Sequence, residues 1–364
     1  MTAIKVKFAK NKKAGTQEFY NVLRQRVSAY FEEKQISRHG DASMVFKTIF
    51  MLSLYVGPFL YSTFFVSNPT TFVLLWLLSG VGMSGVGLSV MHDANHGSYS
   101  SNETVNKVLG FVLNMCGGCS SYWKIQHNML HHTYTNIHGY DEDISRTPIM
   151  RFSPHADKRP MHRYQHYYAW FLYCLMTISW ITAKEFKQLK EFNSRGLIKD
   201  KAHYNQMLRE VVLTKIGYYA IALVLPLVFA SVSWWVVLLS FLCMHFVAGL
   251  ILSLIFQPAH VLPSSEYPMP DDTGTMENNW AIHQVLTTAN FSNDSTLFSW
   301  FVGGLNYQIE HHLFPRVCHI HYKDISSIVK ETAEEFNLPY HSQKTWFTAI
   351  SNHGRFLKDM ALAD

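Results

Sequence analysis

Residues 91–97 read Met-His-Asp-Ala-Asn-His-Gly, and residues 126–133 read Gln-His-Asn-Met-Leu-His-His-Thr. A third histidine cluster, Tyr-Gln-Ile-Glu-His-His-Leu, occupies residues 307–313. On a helix, residues four apart lie on the same face, about 6 Å apart along the axis, so the two histidines of an HxxxH pair can point at one target. We therefore interpret the rest of the chain as a frame that brings the three clusters together.

The adjacent histidines of the second and third clusters indicate more than one metal ion. His131 and His132 are separated by about 100° around a helix, so they suit two neighbouring targets better than one. The same holds for His311 and His312. A catalytic zinc takes three protein ligands, and the clusters contain more imidazoles than that: His92, His96, His127, His131, His132, His311 and His312. The sequence therefore predicts two metal ions.

Other histidines are interpreted as structural. The chain has 20 histidines, so isolated HxxxH pairs arise by chance. His162 and His166 form such a pair, but the flanking arginines and tyrosines are typical of a membrane-interface segment. His245 lies within an apolar run, where burial with a hydrogen-bonded neighbour is the expected role.

Composition and the distribution of charge predict an integral membrane protein. Hydrophobic residues make up 48% of the chain and charged residues 16%. Neither Thr48–Met91 nor Ile216–Ser265 contains Asp, Glu, Lys or Arg, and each is long enough for two helical crossings of about 20 residues. Breaks at residues 67–69 and 230–233 leave four spans, at about Met44–Val66, Thr71–Val90, Val211–Phe229 and Trp234–Phe256. The predicted fold class is all-α, with four transmembrane helices in two hairpins and a helical cytosolic cap domain that holds the histidine clusters.

The distribution of basic residues predicts the orientation. The first 47 residues contain ten Lys or Arg, the segment between the hairpins contains many more, and the two short turns contain none. Because basic residues collect on the cytoplasmic side, both termini and all three clusters are expected to be cytosolic, in a bacterial inner membrane or the endoplasmic reticulum. The predicted organisation is a basic cytosolic N-terminal arm (1–43), a first transmembrane hairpin (44–91), a cytosolic or interfacial segment with the first two clusters (92–210), a second hairpin (211–256), and a cytosolic segment with the third cluster and a C-terminal tail (257–364).

Charge and cysteine content argue against several classes of protein. The net charge of +5 fits the positive-inside bias and attraction to anionic membrane lipids, since no nucleic-acid motif occurs. Five cysteines give no disulfide framework. We interpret Cys116 and Cys119, a lone CxxC beside two glycines, as small-residue packing. No cleavable signal peptide is expected, because the apolar run begins too late.

Some residues outside the three clusters are further candidates for the site. His260 follows the fourth span, where an ionisable residue is a functional candidate, and we predict it as an eighth ligand. His283 is a weaker candidate. One of Asp141, Asp143 and Asp93 is expected to accept the second imidazole proton of a ligating histidine, although surface solvation explains such carboxylates equally well.

The all-histidine donor set narrows the chemistry. Soluble di-iron bundles use Glu with an ExxH spacing, and no ExxH occurs in this sequence. Imidazole suits iron as well as zinc, but a zinc hydrolase needs a water position and a general base rather than two adjacent His-His pairs. Metals at the membrane surface would be within reach of an acyl chain. The pattern therefore favours oxygen-dependent attack on an unactivated carbon–hydrogen bond.

Three motifs, HDANH at 92–96, HNMLHH at 127–132 and QIEHH at 308–312, resemble those of the membrane fatty acid desaturase family. The resemblance covers roughly Met44 to Pro315 and includes the four spans. Gln308 stands where other branches have His. In this it is similar to the front-end branch, which includes acyl-lipid, linoleoyl-CoA-type and sphingolipid desaturases.

This resemblance implies a di-iron centre that uses dioxygen to form a cis double bond in a fatty acyl chain. Two electrons would be consumed as two hydrogens leave adjacent methylenes. The acyl carrier is open between lipid, CoA and sphingolipid, and a contact of Gln308 with metal is open too. The implied ligands are His92, His96, His127, His131, His132, His311 and His312, with His260 matching the additional histidine after the fourth span.

The resemblance also bears on the electron donor. Many eukaryotic front-end desaturases carry a fused cytochrome b5 domain with a His-Pro-Gly-Gly motif, but no His-Pro-Gly occurs in this sequence. A four-cysteine iron–sulfur pattern is absent from the sequence as well. The expected partner is therefore a separate donor, such as a ferredoxin or free cytochrome b5, that docks on the basic cytosolic face.

Two alternatives stay open from the sequence. A lipid hydroxylase or ketolase of the same histidine-box superfamily would use the same oxidant to insert oxygen, and the boxes alone do not separate it from a desaturase. A membrane zinc hydrolase or receptor would hold one zinc and would have no oxygen requirement.

Overall fold

The computed structural model describes residues 6–9, 16–145 and 148–362, and these residues are mostly helical. The chain divides into two compact units. The first unit comprises Met1–Gly40, Gln126–Ala169 and Ile255–Asp364, and the second comprises Asp41–Ile125 and Trp170–Leu254.

Among the described residues, four helices are long and apolar enough to cross a membrane, which confirms the predicted spans. They are Ala42–Phe65, Pro69–His96, Lys201–Phe229 and Trp234–His260. The second begins after Asn68, whose side chain accepts a hydrogen bond from the Thr71 backbone N–H. The third begins at Lys201 rather than near Val211, because the helix includes a polar segment that an apolar window does not detect.

The second and third spans each contain a π-helical turn, at Val86–Val90 and Ala220–Val224. In the second span this turn leads directly into Met91–His96, so the span continues into the first histidine cluster, as predicted. The helix ends at Gly97, whose φ of 74° lies in the left-handed region that glycine adopts readily.

Two glycines of the second span allow close helix packing within the second unit. A Cβ on Gly80 would lie 2.5 Å from the carbonyl oxygen of Met244, and a Cβ on Gly82 would overlap the backbone nitrogen of Tyr55. Backbone atoms of a packed helix cannot move aside individually. Small residues at such positions are typical of transmembrane helix interfaces.

Buried polar groups also connect the helices of the second unit. Lys215 Nζ is 2.5 Å from Glu185 Oε2, and both side chains are buried. Removing either partner of such an ion pair would destabilise the fold, because the other charge would be left buried and uncompensated. His245 bonds through Nε2 with the Tyr218 hydroxyl at 2.6 Å and through Nδ1 with the Thr177 hydroxyl at 3.1 Å. These contacts confirm the structural role predicted for His245.

The N-terminal arm is part of the core of the first unit. Its helix, Thr16–Glu33, buries Phe19, Leu23 and Val27 in one hydrophobic cluster with residues of the helix Tyr322–Glu335. The three apolar residues recur at the spacing of a single helix face, which explains why this basic segment packs as a helix.

Most of the remaining elements are short. Two parallel two-stranded sheets pair Lys7–Phe8 with Thr275–Met276 and Asn290–Phe291 with Ser342–Gln343. Further helices that begin in the first unit are His132–Tyr134, Glu142–Ser145, Pro160–Tyr164, Gln165–Cys174, Trp280–Thr287, Thr296–Phe301, Gln308–Leu313, His319–His321 and Trp346–Leu362. Those of the second unit are Glu103–Gly110, Val112–Met115, Ser120–Trp123, Met176–Ser179, Trp180–Lys184 and Glu185–Ser194.

The C-terminal helix, Trp346–Leu362, is hydrogen-bonded to residues near the middle of the chain. Gln165 Nε2 donates to the Leu357 carbonyl oxygen at 2.7 Å, and Arg151 Nη1 donates to the Met360 carbonyl oxygen at 2.9 Å. Gln165 and Arg151 are themselves buried. The first unit is therefore assembled from segments that are distant in sequence.

Candidate metal centre

The second histidine cluster lies on a π-helix, Lys124–His131, that continues into the α-helical turn His132–Tyr134. The expected α-helical spacing is wrong here, because i→i+5 bonding brings residues five apart next to one another. His127 Nε2 and His132 Nε2 are 3.2 Å apart. The ring centroids of His127 and His131 are 5.3 Å apart. All three rings of this cluster are buried and close together.

His131 is oriented by a buried carboxylate. Its Nδ1 is 3.2 Å from each oxygen of Asp141. The carboxylate is held in turn by the backbone N–H groups of Asn136 and Asp143, at 2.9 and 3.0 Å. Burial acts to lower the pKa of His131, but Asp141, with a smaller contribution from Asp143, outweighs it and raises this pKa to about 9. With the Nδ1 proton directed at Asp141, Nε2 is the nitrogen available to a metal.

The third histidine cluster lies on a six-residue helix, Gln308–Leu313. His311 Nδ1 is 3.1 Å from the Tyr322 hydroxyl, and His312 Nδ1 is 2.8 Å from Gln284 Oε1. Outer partners of this kind fix the tautomer and the ring orientation of a metal-ligating histidine. They leave Nε2 of both rings as the nitrogen available to a metal.

His260, at the end of the fourth span, follows the same arrangement. Its Nδ1 lies 3.3 Å from the Thr287 carbonyl oxygen. Its Nε2 is buried and makes no hydrogen bond of 3.5 Å or less among the described residues, although the Gln308 side chain also interacts with this ring. The backbone of His260 is held as well, since Asn136 Nδ2 donates to its carbonyl oxygen at 2.9 Å. The residue thus presents an unsatisfied ring nitrogen from a fixed position.

Within the first unit, six predicted ligands come together. One set consists of His131, His260 and His312, and another of His132, His311 and His312, with one ligand atom per residue within 4.8 Å of the others in each set. Neighbouring ligands at about 2.1 Å from one metal have nitrogens roughly 3 Å apart. The 3.2 Å between His127 Nε2 and His132 Nε2 therefore suits two ligands of one ion.

The first histidine cluster belongs to the second unit, on the helix Met91–His96. The ring centroids of His92 and His96 are 4.8 Å apart. Both rings pack edge-on against Trp123, at 5.6 and 5.7 Å. The pair thus has the common direction expected for residues four apart on a helix. Its sharing of metal ions with the histidines of the first unit stays a prediction.

The weaker candidates make hydrogen bonds to the backbone. His283 Nε2 is 2.7 Å from the Thr135 carbonyl oxygen, and burial lowers the pKa of His283 to about 4. The neutral ring therefore supports the end of the second cluster. Gln308 Nε2 donates to the carbonyl oxygen three residues earlier, at 2.7 Å. His162, from the additional HxxxH pair, lies with Nε2 at 3.0 Å from the Pro148 carbonyl oxygen.

Sequence reasoning missed the neutral residues that orient the ligands. Gln284 accepts from the Thr135 hydroxyl at 2.9 Å and faces His312. The Tyr322 hydroxyl contacts Nδ1 of His311, and the Thr287 carbonyl oxygen contacts Nδ1 of His260. The only sequence signal for Gln284 is its position next to the candidate His283, and Tyr322 has none. An amide or hydroxyl becomes an orienting group only through its position in the fold.

Comparison with known proteins agrees with this site. The sequence profile described as fatty acid desaturase matches residues 67–344. The chain is 33% identical over 369 residues to an sn-1 linoleoyl-lipid 6-desaturase of Synechocystis sp., covering 100% of this chain and 99% of that protein. It is 34% identical over 357 residues to an sn-1 linoleoyl-lipid 6-desaturase of Arthrospira platensis, covering 94% and 93%. It is also 34% identical over 357 residues to an acyl-lipid (8-3)-desaturase of Physcomitrium patens, covering 96% and 73%.

The profile match begins after the first span and covers the other three spans and all three histidine clusters. The first two relatives are matched over nearly their whole length. The sequence resemblance to front-end desaturases is confirmed by these relatives. With its four candidate spans and its buried histidines, this chain belongs to the fatty acid desaturase family and is an oxidoreductase of the membrane.

Proposed function

We propose that this desaturase introduces a cis double bond into an acyl chain of a membrane lipid at a pair of iron ions held by histidines. Geometry supports the ligands of the first unit, and motif and mutual orientation support His92 and His96. The names of the relatives, linoleoyl-lipid and acyl-lipid desaturases, support a lipid as the acyl carrier. The proposed ligands are His92, His96, His127, His131, His132, His260, His311 and His312.

The main support for the proposal is that the two nitrogens of a ring have different surroundings: Nδ1 faces a protein group, and Nε2 is left for a metal. Four Nδ1 atoms of the first unit face outer partners, namely Asp141, Thr287, Tyr322 and Gln284. The buried Nε2 of His260 makes no hydrogen bond of 3.5 Å or less among the described residues. Leaving such a group unsatisfied costs about 1–3 kcal/mol, and a metal ion would satisfy it. The donor set therefore fits an imidazole-bound metal.

Bound iron would supply the reduction of dioxygen to two waters. Two of the four electrons, with two protons, would leave a pair of adjacent methylenes, and the other two electrons would come from the donor, with two protons from solvent. The residues of this chain supply geometry. Asp141 keeps the proton of His131 on Nδ1, and Tyr322 and Gln284 fix the rings of the third cluster. Burial of the ligands keeps bulk water away from the reacting centre.

Orientation and electron supply are part of the same proposal. The ten basic residues among the first 47, and those between the hairpins, support a cytosolic location for both termini and the site. Electrons would come from a separate protein, a ferredoxin or cytochrome b5. Its docking on a basic face would weaken at high ionic strength.

Lipid analysis of a host that has no desaturases of its own and is fed linoleate tests the proposed reaction. We expect acyl chains that have lost two hydrogens, with the new double bond on the carboxyl side of those already present. The product should appear first in glycerolipids. A His312→Ala variant should insert into the membrane without forming product.

Other products would contradict specific parts of the proposal. Acyl chains that have gained oxygen would assign the enzyme to lipid hydroxylation or ketone formation. A product found first in acyl-CoA would exclude lipid as the carrier. Purified protein that contains zinc and no iron would exclude the iron site.

A further inference from the structure

We propose that Asn290, Glu310 and Tyr340 form a positioning clamp that fixes the His311–His312 pair and thereby determines how firmly the metal ions are retained. This inference rests on the proposed metal centre. It assigns a role to three residues that are not themselves ligands.

Glu310 is bound by side chains from two remote segments. Asn290 Nδ2 donates to Glu310 Oε2 at 2.8 Å, and the Tyr340 hydroxyl donates to Glu310 Oε1 at 2.8 Å. Asn290 Nδ2 also donates to the Tyr340 hydroxyl oxygen at 2.8 Å. Three hydrogens and three acceptors thus form a closed ring. Glu310 and Asn290 are 0% exposed, so water does not compete for these bonds.

The helix that carries His311 and His312 depends on such external contacts. Gln308–Leu313 has only six residues, and isolated helices of this length are not stable in water. The N–H groups of a first helical turn have no partners inside the helix. Asn290 Oδ1 accepts one of them, from Ile309, at 2.9 Å. Asn290 therefore holds both the backbone and a side chain of this helix.

The clamp acts on the metal through the rotation and height of the helix. Glu310 directly precedes His311, about 100° around the helix. The clamp holds this side, while Tyr322 and Gln284 hold the Nδ1 atoms of the two histidines. Metal sites need their ligands within about 0.5 Å of the productive geometry. A helix released on one side would no longer meet that requirement.

The position of Tyr340 is set by the sheet formed by Asn290–Phe291 and Ser342–Gln343. The Asn290 N–H donates to the His341 carbonyl oxygen at 2.8 Å, and the Ser292 N–H donates to the Gln343 carbonyl oxygen at 2.9 Å. This pairing places Ser342 beside Asn290, and Tyr340, two residues earlier, reaches the Asn290 side chain with its hydroxyl group. A segment that follows the last proposed ligand in sequence thus becomes part of the support of the metal centre.

A pair of tyrosine variants tests the clamp. Tyr340→Phe removes the hydroxyl that donates to Glu310. Tyr30→Phe is the matched control, because the Tyr30 hydroxyl donates to Asp324 Oδ2 at the same 2.8 Å in the same unit. Full-length protein in detergent is loaded with Fe²⁺ or Co²⁺ without oxygen. The measurements are metal per chain, the rate of release to a chelator, the Co²⁺ absorption spectrum and the unfolding temperature of the metal-free protein.

We expect Tyr340→Phe to release metal about tenfold faster than the wild type, at the lower end of effects known for outer partners of metal ligands. Its Co²⁺ spectrum should shift, because the ligand geometry changes. Tyr30→Phe should match the wild type in both measurements. The two variants should have similar unfolding temperatures without metal, which separates positioning from general stability.

Rescue by a second substitution tests the hydrogen-bond ring directly. Glu310→Gln adds donors and removes an acceptor, so one hydrogen of the ring loses its partner, and metal release should accelerate. Combining it with Asn290→Asp should slow release again, since the new carboxylate can accept from the Ile309 N–H and from the new amide. If the wild type binds metal and Tyr340→Phe releases it at the same rate as Tyr30→Phe, the clamp is rejected but the proposed metal centre is not. Wild-type protein that binds no metal would reject both.

Discussion

His245 and His260 lie on one helix, Trp234–His260, yet their surroundings give them different roles. Both ring nitrogens of His245 face protein hydroxyl groups, at 2.6 and 3.1 Å. His260 has one ring nitrogen facing a backbone carbonyl and a second, buried one that makes no hydrogen bond of 3.5 Å or less among the described residues. A ring with both nitrogens occupied has no position for a metal. The partners of each nitrogen therefore separate a structural histidine from a candidate ligand.

Another buried histidine gives a prediction about acid stability. His353 is 0% exposed, its Nδ1 donates to the Val261 carbonyl oxygen at 2.8 Å, and burial lowers its pKa to about 4. Between pH 6.5 and 4 the unfolded chain takes up a proton here and the folded chain does not. This residue therefore reduces the free energy of unfolding by about 2 kcal/mol from pH 7 to pH 5.

We expect His353→Asn to lose less stability on acidification than the wild type, because the amide keeps a donor near the position of Nδ1 and does not titrate. Thermal unfolding of the metal-free protein at pH 7 and pH 5 measures the difference. His203→Asn is the control, since His203 is exposed and this variant should follow the wild type. An equal loss in all three proteins would contradict the assignment.

At the scale of single residues, the sequence predicts candidate ligands but not the side chains that support them. His260 was predicted because an ionisable side chain at the end of an apolar run is unusual. Gln284, Tyr322, Asn290 and Tyr340 were not, because amides and hydroxyls are common and their partners lie in distant parts of the chain. Among the three carboxylates considered, only the structure distinguishes Asp141 as the one that orients His131.

At the scale of elements, the π-helix Lys124–His131 was the main departure from expectation. The HxxxHH pattern fits an α-helix and a π-helix alike, because the extra residue in a π turn has no sequence signature. Its effect is specific, since it places His132 rather than His131 beside His127. π-helical turns are frequent at functional sites, and this one determines which two imidazoles of the second histidine cluster approach most closely.

The glycines of the first hairpin give a prediction about helix packing. Gly82 faces the backbone of Tyr55, so a Cβ there must push the two helices apart. We expect Gly82→Ala to destabilise the protein by about 1–3 kcal/mol, as overpacking in a close-packed core does. The unfolding temperature in detergent and the yield of folded protein measure this effect.

Gly217, on the third span, is a matched control. A Cβ at Gly217 would meet nothing within 4 Å. Gly217→Ala should leave stability unchanged or raise it slightly, because alanine is the better helix former. If both alanine variants lose the same stability, the close approach of the two helices is not the reason why residue 82 is a glycine.

At the scale of the whole molecule, the four spans were predictable because long uncharged segments have few alternatives to crossing a membrane. The grouping of the rest was not. Sequence order suggests consecutive segments, whereas contacts group residues 92–125 and 170–210 with the spans and the N-terminal arm with the third histidine cluster. This grouping depends on contacts between distant residues, such as those of Phe19 and Leu23, which sequence order does not reveal.

The iron content of a double variant tests whether the two units share one centre. Replacing His92 and His96 together with alanine should reduce the iron bound per chain from two to one or none and abolish desaturation. Replacing His162 and His166 together is the control for loss of an HxxxH pair. Wild-type iron content after the first replacement would remove the first cluster from the ligand set.

The hydrogen bonds of the helix Trp346–Leu362 to Gln165 and Arg151 bear on how the enzyme matures. A nascent polypeptide still lacking residue 340 would display its imidazoles before the groups that steady them had been synthesised. We therefore expect metal ions to be inserted after translation, when the final segments have folded back onto the earlier ones.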